Sequence, residues 1–353
     1  LPTRAARPAF FALRLTTRTA TVAADYNKPK ANLSLDLDNQ WAYMKTHGDE
    51  GWQSFPSYFD LAVPRILDVL ARHNFKITFF IVGQDAALEK NHAALRSIAA
   101  AGGHEIANHS FHHEPWLHLY TAEDVNAEIA RAEDAIAAAT GVRPTGFRGP
   151  GFSVSETVLE TLKARGYAYD ASTFPTFLGP VARAYYFFNS NFSKEEREKR
   201  RSLYGTISDG LRSLKPYEWQ LKNGALLELP VTTMPVARVP FHLSYVMYLA
   251  GYSPAVARTY FKTALRLCRL RGVEPSLLLH PLDFLGGDDV PALGYFPGMK
   301  LSGAEKVALV DTLLAAYAAR FEVLPMGAHA RAVKERGALP RRAADFRHAV
   351  AAA

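Results

Sequence analysis

Residues 102–118, GGHEIANHSFHHEPWLH, hold five of the chain's twelve histidines. The segment opens on Gly-Gly, runs through a short apolar stretch at 104–108 that reads as a strand, and crowds its imidazoles where that strand ends. Helical patterns flank it, at 86–100 and at 122–138. A strand between two helices is the building unit of a parallel sheet, because parallel neighbours need a crossover to connect them.

The same alternation continues along the chain. Strands are expected at 32–37 (NLSLDL), 77–83 (ITFFIVG), 104–108, 145–148, 167–171, 226–232 (LLELPVT), 276–280 (SLLLH) and 321–325. Helices are expected at 58–72, 86–100, 122–138, 155–165, 254–271 and 302–319, with Ser153-x-Ser155-Glu156 and Ser302-Gly-Ala-Glu305 as start signals. Buried strands covered by helices give a barrel or a doubly wound sheet. Residues 176–222 break the rhythm. They are rich in Tyr and Phe and contain SKEEREKRRS, and they read as an insertion, either a solvated helical excursion or a lid over substrate.

Composition excludes several classes. Hydrophobic residues make up 48% of 353, enough for a large core. No run approaches the roughly 18 apolar residues of a membrane span, and 241–252 is too short. The net charge is +7, but residues 1–30 carry +5 and 331–353 carry +4, leaving −2 on 31–330. The body is not basic, so no nucleic-acid partner is expected. Cys268 is the sole cysteine, so no disulfide forms within the chain; this fits a reducing, cytoplasmic setting, with peripheral membrane association compatible. The sequence begins with Leu, as a trimmed chain or fragment would, and Arg14 interrupts the early apolar run that a secretory signal would need.

Reactive side chains of parallel α/β arrays gather at the C-terminal ends of strands. Those ends supply Asp36 and Asp38, then His109 and His113, then Arg148, Pro150 and Gly151, then Asp170 with Ser172, and finally His280. Positions i and i+4 share a face of a helical turn, so His109 and His113 can address one ion. Neutral imidazoles and a carboxylate suit Zn²⁺ or a related divalent metal with one position open for water. Of the Asp-x-Asp pair, one carboxylate can bind metal while the other stays free to accept a proton, held by Arg148. His280 could protonate a leaving nitrogen. Metal-assisted hydrolysis of an amide or ester is the chemistry that results.

The ordered set Asp-x-Asp, His-Ser-x-x-His, Arg-x-Pro-Gly, Tyr-Asp-x-Ser and Leu-x-His resembles the polysaccharide deacetylases, carbohydrate esterase family 4, with the NodB homology domain. The resemblance spans about residues 31–326, between a basic extension at 1–30 and a basic tail at 327–353. It implies a distorted (β/α) barrel with seven or eight strands. It also implies a hydrolase of carbon–nitrogen bonds that removes an N-acyl, most simply N-acetyl, group from an amino sugar of a polysaccharide or glycolipid.

By the same resemblance Asp36 is the base, Asp38, His109 and His113 hold the metal (Zn²⁺, with Co²⁺, Ni²⁺ or Mn²⁺ as alternatives), and His280 is the acid. Arg148 orients Asp36, the Ser110 hydroxyl steadies the ligand loop, and the Gly151 N–H serves the oxyanion. Pro150 and Asp170 complete the pocket; Trp41 and Trp116, each directly after a motif, either line it or pack in the core. The first motif departs from the usual Thr-Phe-Asp-Asp-Gly, Gly151 stands where tyrosine is common, and no Asp-xxx-Trp occurs in 233–275. Asp170 and Asp283 are thus the candidate partners of His280. The basic aromatic stretch 183–215 suggests a substrate bearing phosphate or lipid. Alternatives are a deformylase or other amidohydrolase, a Mn²⁺-dependent glycosyltransferase using Asp-Leu-Asp, and a silent carbohydrate-binding relic.

Overall fold

A computed structural model of the chain describes residues 28–179 and 207–346. Among them ten strands form one sheet: β1 Lys30–Leu37, β2 Thr78–Ile81, β3 Glu105–Asn108, β4 Gly146–Phe147, β5 Tyr169–Asp170, β6 Tyr217–Leu221, β7 Gly224–Glu228, β8 Ser276–Leu279, β9 Glu322–Leu324 and β10 Arg341–Ala343. Their order is β10-β6-β7-β5-β4-β3-β2-β1-β8, with β9 also on β1. Every pairing is parallel except the β6–β7 hairpin. Past β7 the chain reaches β8, where the Thr232 N–H donates to the Ser276 carbonyl at 3.1 Å. That contact closes β1, β2, β3, β4, β5, β7 and β8 into a distorted seven-stranded barrel.

β1 shows how the sequence makes this closure. Leu33, Leu35 and Leu37 belong to the largest apolar cluster, beneath the helices. The alternate residues Asn32, Ser34 and Asp36 are buried polar groups that bond to His329 and Arg148. A period of two separates a helix-covered face from the barrel lumen. The register is level: Leu37 pairs with Ile81, Ile81 with Asn108, Asn108 with Phe147, Phe147 with Asp170 and Asp170 with Glu228. The residues just beyond these pairs therefore share one rim.

The helices Phe59–Arg72, Ala122–Thr140, Glu156–Ala164, Pro254–Leu270 and Gly303–Ala318 lie where periodicity expects them. Ser302 and Glu305 cap reciprocally, whereas the cap of Glu156–Ala164 is Ser155 alone, accepting from the Val158 N–H. The expected helix 86–100 is broken into Gly83–Ala86, a turn at Glu89–Asn91, and His92–Ala100. Asn91 donates to the Asp85 carbonyl and carboxylate, a local bond that competes with the helical ladder.

Two boundaries differ from expectation. The stretch 176–222 includes β6, which hydrogen-bonds into the sheet; its residues 180–206, with the charged run, lie outside the described residues. The basic end of the chain is not a free tail. Helix Met326–Glu335 buries Met326, His329, Ala330 and Val333, and β10 extends the sheet. Glu105 accepts from the Thr78 hydroxyl at 2.5 Å and from the Gly327 N–H at 2.7 Å, which ties that helix to β2 and β3. The short helices Gln40–His47 and Leu243–Ala250 were not evident from periodicity, since the first buries only Trp41 and Ala42.

Candidate active site

At the rim, Asp38, His109 and His113 converge, each offering a ligand atom within 4.8 Å of the others. The Asp38 Oδ1 lies 3.1 Å from His113 Nε2 and 3.6 Å from His109 Nε2. That oxygen is buried and has no hydrogen-bond donor. An orphaned carboxylate oxygen facing two imidazole nitrogens fits a divalent cation. His109 Nδ1 lies 2.6 Å from the Arg148 carbonyl, which can only accept, so the proton sits on Nδ1 and Nε2 is left as ligand. Burial raises the Asp38 carboxyl, but the imidazoles of His113 and His109 outweigh it and hold the group well below its ordinary value.

The two histidines do not meet on a helical turn. Residues 109–114 form an irregular loop in which Ser110 (φ 60°) and His113 (φ 55°) take the left-handed conformation, bringing the rings to 5.1 Å. Nor does the Ser110 hydroxyl steady that loop, because it has no partner. Glu128, from helix Ala122–Thr140, does so: its Oε1 accepts from the N–H groups of Phe111 (3.0 Å) and His112 (2.6 Å), and its Oε2 lies 2.7 Å from His112 Nδ1. His112 and His118 are thereby outside the ligand set, with His118 bonded to Ser153.

Asp36 stands beside this cluster with its two oxygens in different roles. Oδ1 accepts from Arg148 at 2.6 Å, and Oδ2 faces His109 Nε2 at 3.9 Å. Arg148 is wholly buried, donates also to Ser34 Oγ (3.0 Å) and the Ala171 carbonyl (3.1 Å), and stacks over Phe80 at 4.3 Å. A guanidinium with that many fixed partners holds one carboxylate oxygen and leaves the other free.

His280 follows Leu279, which pairs with Leu35, so His280 stands alongside Asp36 across the β1–β8 step. Its Nδ1 lies 3.0 Å from Ser244 Oγ, which donates to Asp283 Oδ1 at 3.0 Å, while Asp283 Oδ2 accepts the His280 N–H at 2.7 Å. Asp283 is therefore the carboxylate linked to His280, with the hydroxyl between them. Asp170 is not, and it does not line the cleft. Fully buried, it accepts from the Ser172 hydroxyl at 2.6 Å, and Ser172 in turn accepts the Gly149 N–H at 2.8 Å. It therefore braces the loop that carries Pro150 and Gly151. Burial raises both Asp170 and the adjoining Glu228 above their ordinary values.

Two further residues, besides Glu128 and Ser244, escaped the sequence reading. Asp85 is buried and its Oδ1 accepts from Asn39 (2.7 Å), Trp41 Nε1 (3.0 Å) and Asn91 (3.1 Å), tying the turn after Asp38 to the neighbouring strand end; burial pushes its carboxyl up to about 7. His242 is buried with its ring 6.0 Å from that of His280 and its Nδ1 unpartnered. A lone Asp in GQDA and a His in an apolar run carry no spacing signal.

Residues 49–169 match the family model for polysaccharide deacetylase. That stretch contains His109, His113 and Arg148; the geometry adds Asp36, Asp38 and His280 from outside it. Among curated relatives, the peptidoglycan-N-acetylmuramic acid deacetylase PdaA of Bacillus subtilis is 35% identical over 30% of this chain and 38% of its own length. The peptidoglycan-N-acetylglucosamine deacetylase PgdA of Listeria monocytogenes is 32% identical over 28% and 20%, and the chitin deacetylase of Pestalotiopsis 30% identical over 29% and 34%. The chain thus spans less than two fifths of these relatives. Over nearly its whole length it shares the fold of a Mycobacterium smegmatis protein assigned to the polysaccharide deacetylases: TM-score 0.57 at 21% identity, covering 89% of this chain and 97% of that one. In sequence, then, the chain is similar to the polysaccharide deacetylases over residues 49–169.

Proposed function

We propose that residues 28–346 act as one catalytic unit, a metal-dependent hydrolase that removes the N-acetyl group from an amino sugar within a polysaccharide or glycolipid. The observation that carries the reading is the orphaned Asp38 oxygen aimed at two imidazoles, with a second carboxylate locked beside it by a buried arginine. The names of the relatives, peptidoglycan and chitin deacetylases, support an acetamido sugar as the substrate.

Asp38, His109 and His113 would hold the cation, most simply Zn²⁺, which when bound polarises an acyl oxygen and makes water acidic enough to attack at neutral pH. Asp36 then takes the proton of the attacking water on Oδ2, since Oδ1 is committed to Arg148. The Gly151 N–H donates to the oxygen that gains charge. His280 delivers a proton to the departing nitrogen, with Ser244 and Asp283 fixing its ring. The presence of base, ligands and acid together speaks against a silent relic.

The test is acetate release from N-acetylglucosamine oligomers, with and without a chelator. Asp36→Asn should keep the metal and lose turnover by about 10²-fold or more, the scale of a lost general base. Undiminished release after full chelation, or from Asp36→Asn, would defeat the reading.

A further inference from the structure

The charge of the body is unevenly spread. Residues 31–330 carry −2 as a whole, yet 229–273 hold six Arg and Lys and no Asp or Glu. Four of those cations lie on the helix Pro254–Leu270, whose inner face buries Ala257, Phe261, Ala264, Leu265 and Cys268. Arg258, Lys262, Arg266 and Arg269, spaced i, i+4, i+8 and i+11, make one stripe on the outer side, the last three of them exposed. The helix carries no carboxylate, and among the described residues none of the four has an ion-pair partner. Exposed apolar side chains flank the stripe. Val256 is 56% exposed and Leu270 80%, and Tyr252, 77% exposed, stands one turn before Val256. The Tyr252 hydroxyl donates to that of Tyr248 at 3.2 Å, and Tyr248 follows by one helical turn Ser244, the hydroxyl beside His280.

We infer that this face seats the protein on an anionic lipid bilayer and, resting on the deacetylase reading, that the substrate is the amino sugar of a glycolipid held in that bilayer. An anionic leaflet attracts basic side chains within about a Debye length, and each Lys or Arg near it is worth about fivefold in affinity. The stripe keeps that attraction because no acid of its own helix offsets it. A dissolved polyanion would meet the cations equally well but has no use for Val256 and Leu270, which the boundary between headgroups and acyl chains accepts. Tyrosine suits the same boundary, with an apolar ring and a polar tip. The seat is shallow, since the helix keeps its apolar face in the protein core and offers the membrane only the opposite side. Through Tyr248 and Ser244 it continues to the side of the cleft where His280 stands, so a sugar projecting from the headgroups reaches the rim without leaving the surface.

The full chain is sedimented with vesicles of phosphatidylcholine alone and of phosphatidylcholine with phosphatidylglycerol. Acetate release is measured in parallel from N-acetylglucosamine oligomers, free in solution and lipid-anchored in the anionic vesicles. Binding should require the anionic lipid and fade as salt rises. Residues 1–30 also carry +5, so variants assign the binding to this face. Lys262→Gln/Arg266→Gln should weaken it roughly 20-fold, and Tyr252→Ser/Leu270→Ser severalfold at unchanged charge. In both variants release from the free oligomer should match the parent, while release from the anchored one falls in step with binding. No binding, equal binding to the two vesicles, or anionic-vesicle binding that both variants retain overturns the inference. So does a loss confined to the charge variant with heparin held as tightly as vesicles, which would make the partner a dissolved polyanion. Anchored-oligomer release equal in parent and variants would remove the glycolipid as substrate. A parent that binds through this face and releases no acetate from either oligomer would defeat the proposed function and leave the seat standing; release in solution without vesicle binding would do the reverse.

Discussion

Replacing Arg148 with methionine would expose what holds the Asp36 carboxyl group in its buried place. Asp36 is 4% exposed and its Oδ1 has the guanidinium 2.6 Å away, while its other oxygen has only the His109 ring at 3.9 Å. Methionine keeps much of the volume but strands a carboxylate in a desolvated place, a loss of about 3–5 kcal/mol for a broken buried pair. A stranded carboxylate can instead take up a proton, at about 1.4 kcal/mol for each pH unit above an aspartate's usual ~3.9. That caps the electrostatic loss near 4 kcal/mol at pH 7 and about 1.5 kcal/mol at pH 5. The Ala171 carbonyl, left without its donor, adds about 1 kcal/mol at any pH. Urea unfolding of the chelated protein should therefore show Arg148→Met costing about 5 kcal/mol at pH 7 and about half that at pH 5. In Asp36→Asn/Arg148→Met the cost should fall well below the sum of the singles. A penalty equal at both pH values would show that no buried charge had been stranded, and the account of Arg148 as the holder of Asp36 would fail.

Three further expectations follow from the same geometry. Asp38→Ala should lower Zn²⁺ affinity by at least about 100-fold in equilibrium dialysis, since it removes the one anionic ligand; retention of the metal would mean that the cluster is not its site. Asp85 has a folded value near 7, above the unfolded ~3.9, so its contribution is full below pH 4 and is lost as pH rises through 7. Thermal melts in chelator should therefore show Asp85→Asn gaining about 2–3 kcal/mol on the parent between pH 5 and pH 8, and parallel profiles would refute this. Glu274, held down to about 2 against burial by His329 and Arg336, contributes above its unfolded value and loses that contribution as pH falls toward 2. Glu274→Gln should cost about 1–2 kcal/mol at pH 7, allowing for solvent screening, and nearly nothing near pH 2; a constant difference would contradict it.

The parts of the molecule legible in the sequence are those where one residue type answers one demand. A strand buried on both sides must be apolar toward its helices, so β2, β8 and the five long helices could be read from periodicity alone. The rim residues were legible for a related reason: Asp36, Asp38, His109, His113, Arg148 and His280 each stand just past, or at the end of, a strand, and a level register turns that order into proximity. What was hidden is tertiary. β6 has the alternation of a strand but sits in a stretch whose composition suggested an excursion. Met326–Glu335 has too few large apolar residues to declare itself, because it packs through Met, Ala and Val and anchors through His329. The left-handed turns at Ser110 and His113 are backbone choices that neither side chain advertises. The bracing acids Asp85 and Glu128 come from elements remote in sequence, so nothing near the motifs predicts them.

The methionine at the head of that helix has a consequence for when the proposed centre is complete. Met326 Sδ lies 3.5 Å from Arg148 Nη2, and the same residue's N–H is fixed by the Thr78 hydroxyl at 2.7 Å. The floor beneath the arginine is thus laid by a segment that follows every motif residue in the chain. A nascent chain that has already produced every motif still has the proposed centre open from below, and proteolytic clipping near residue 325 would undo it without touching a single motif residue.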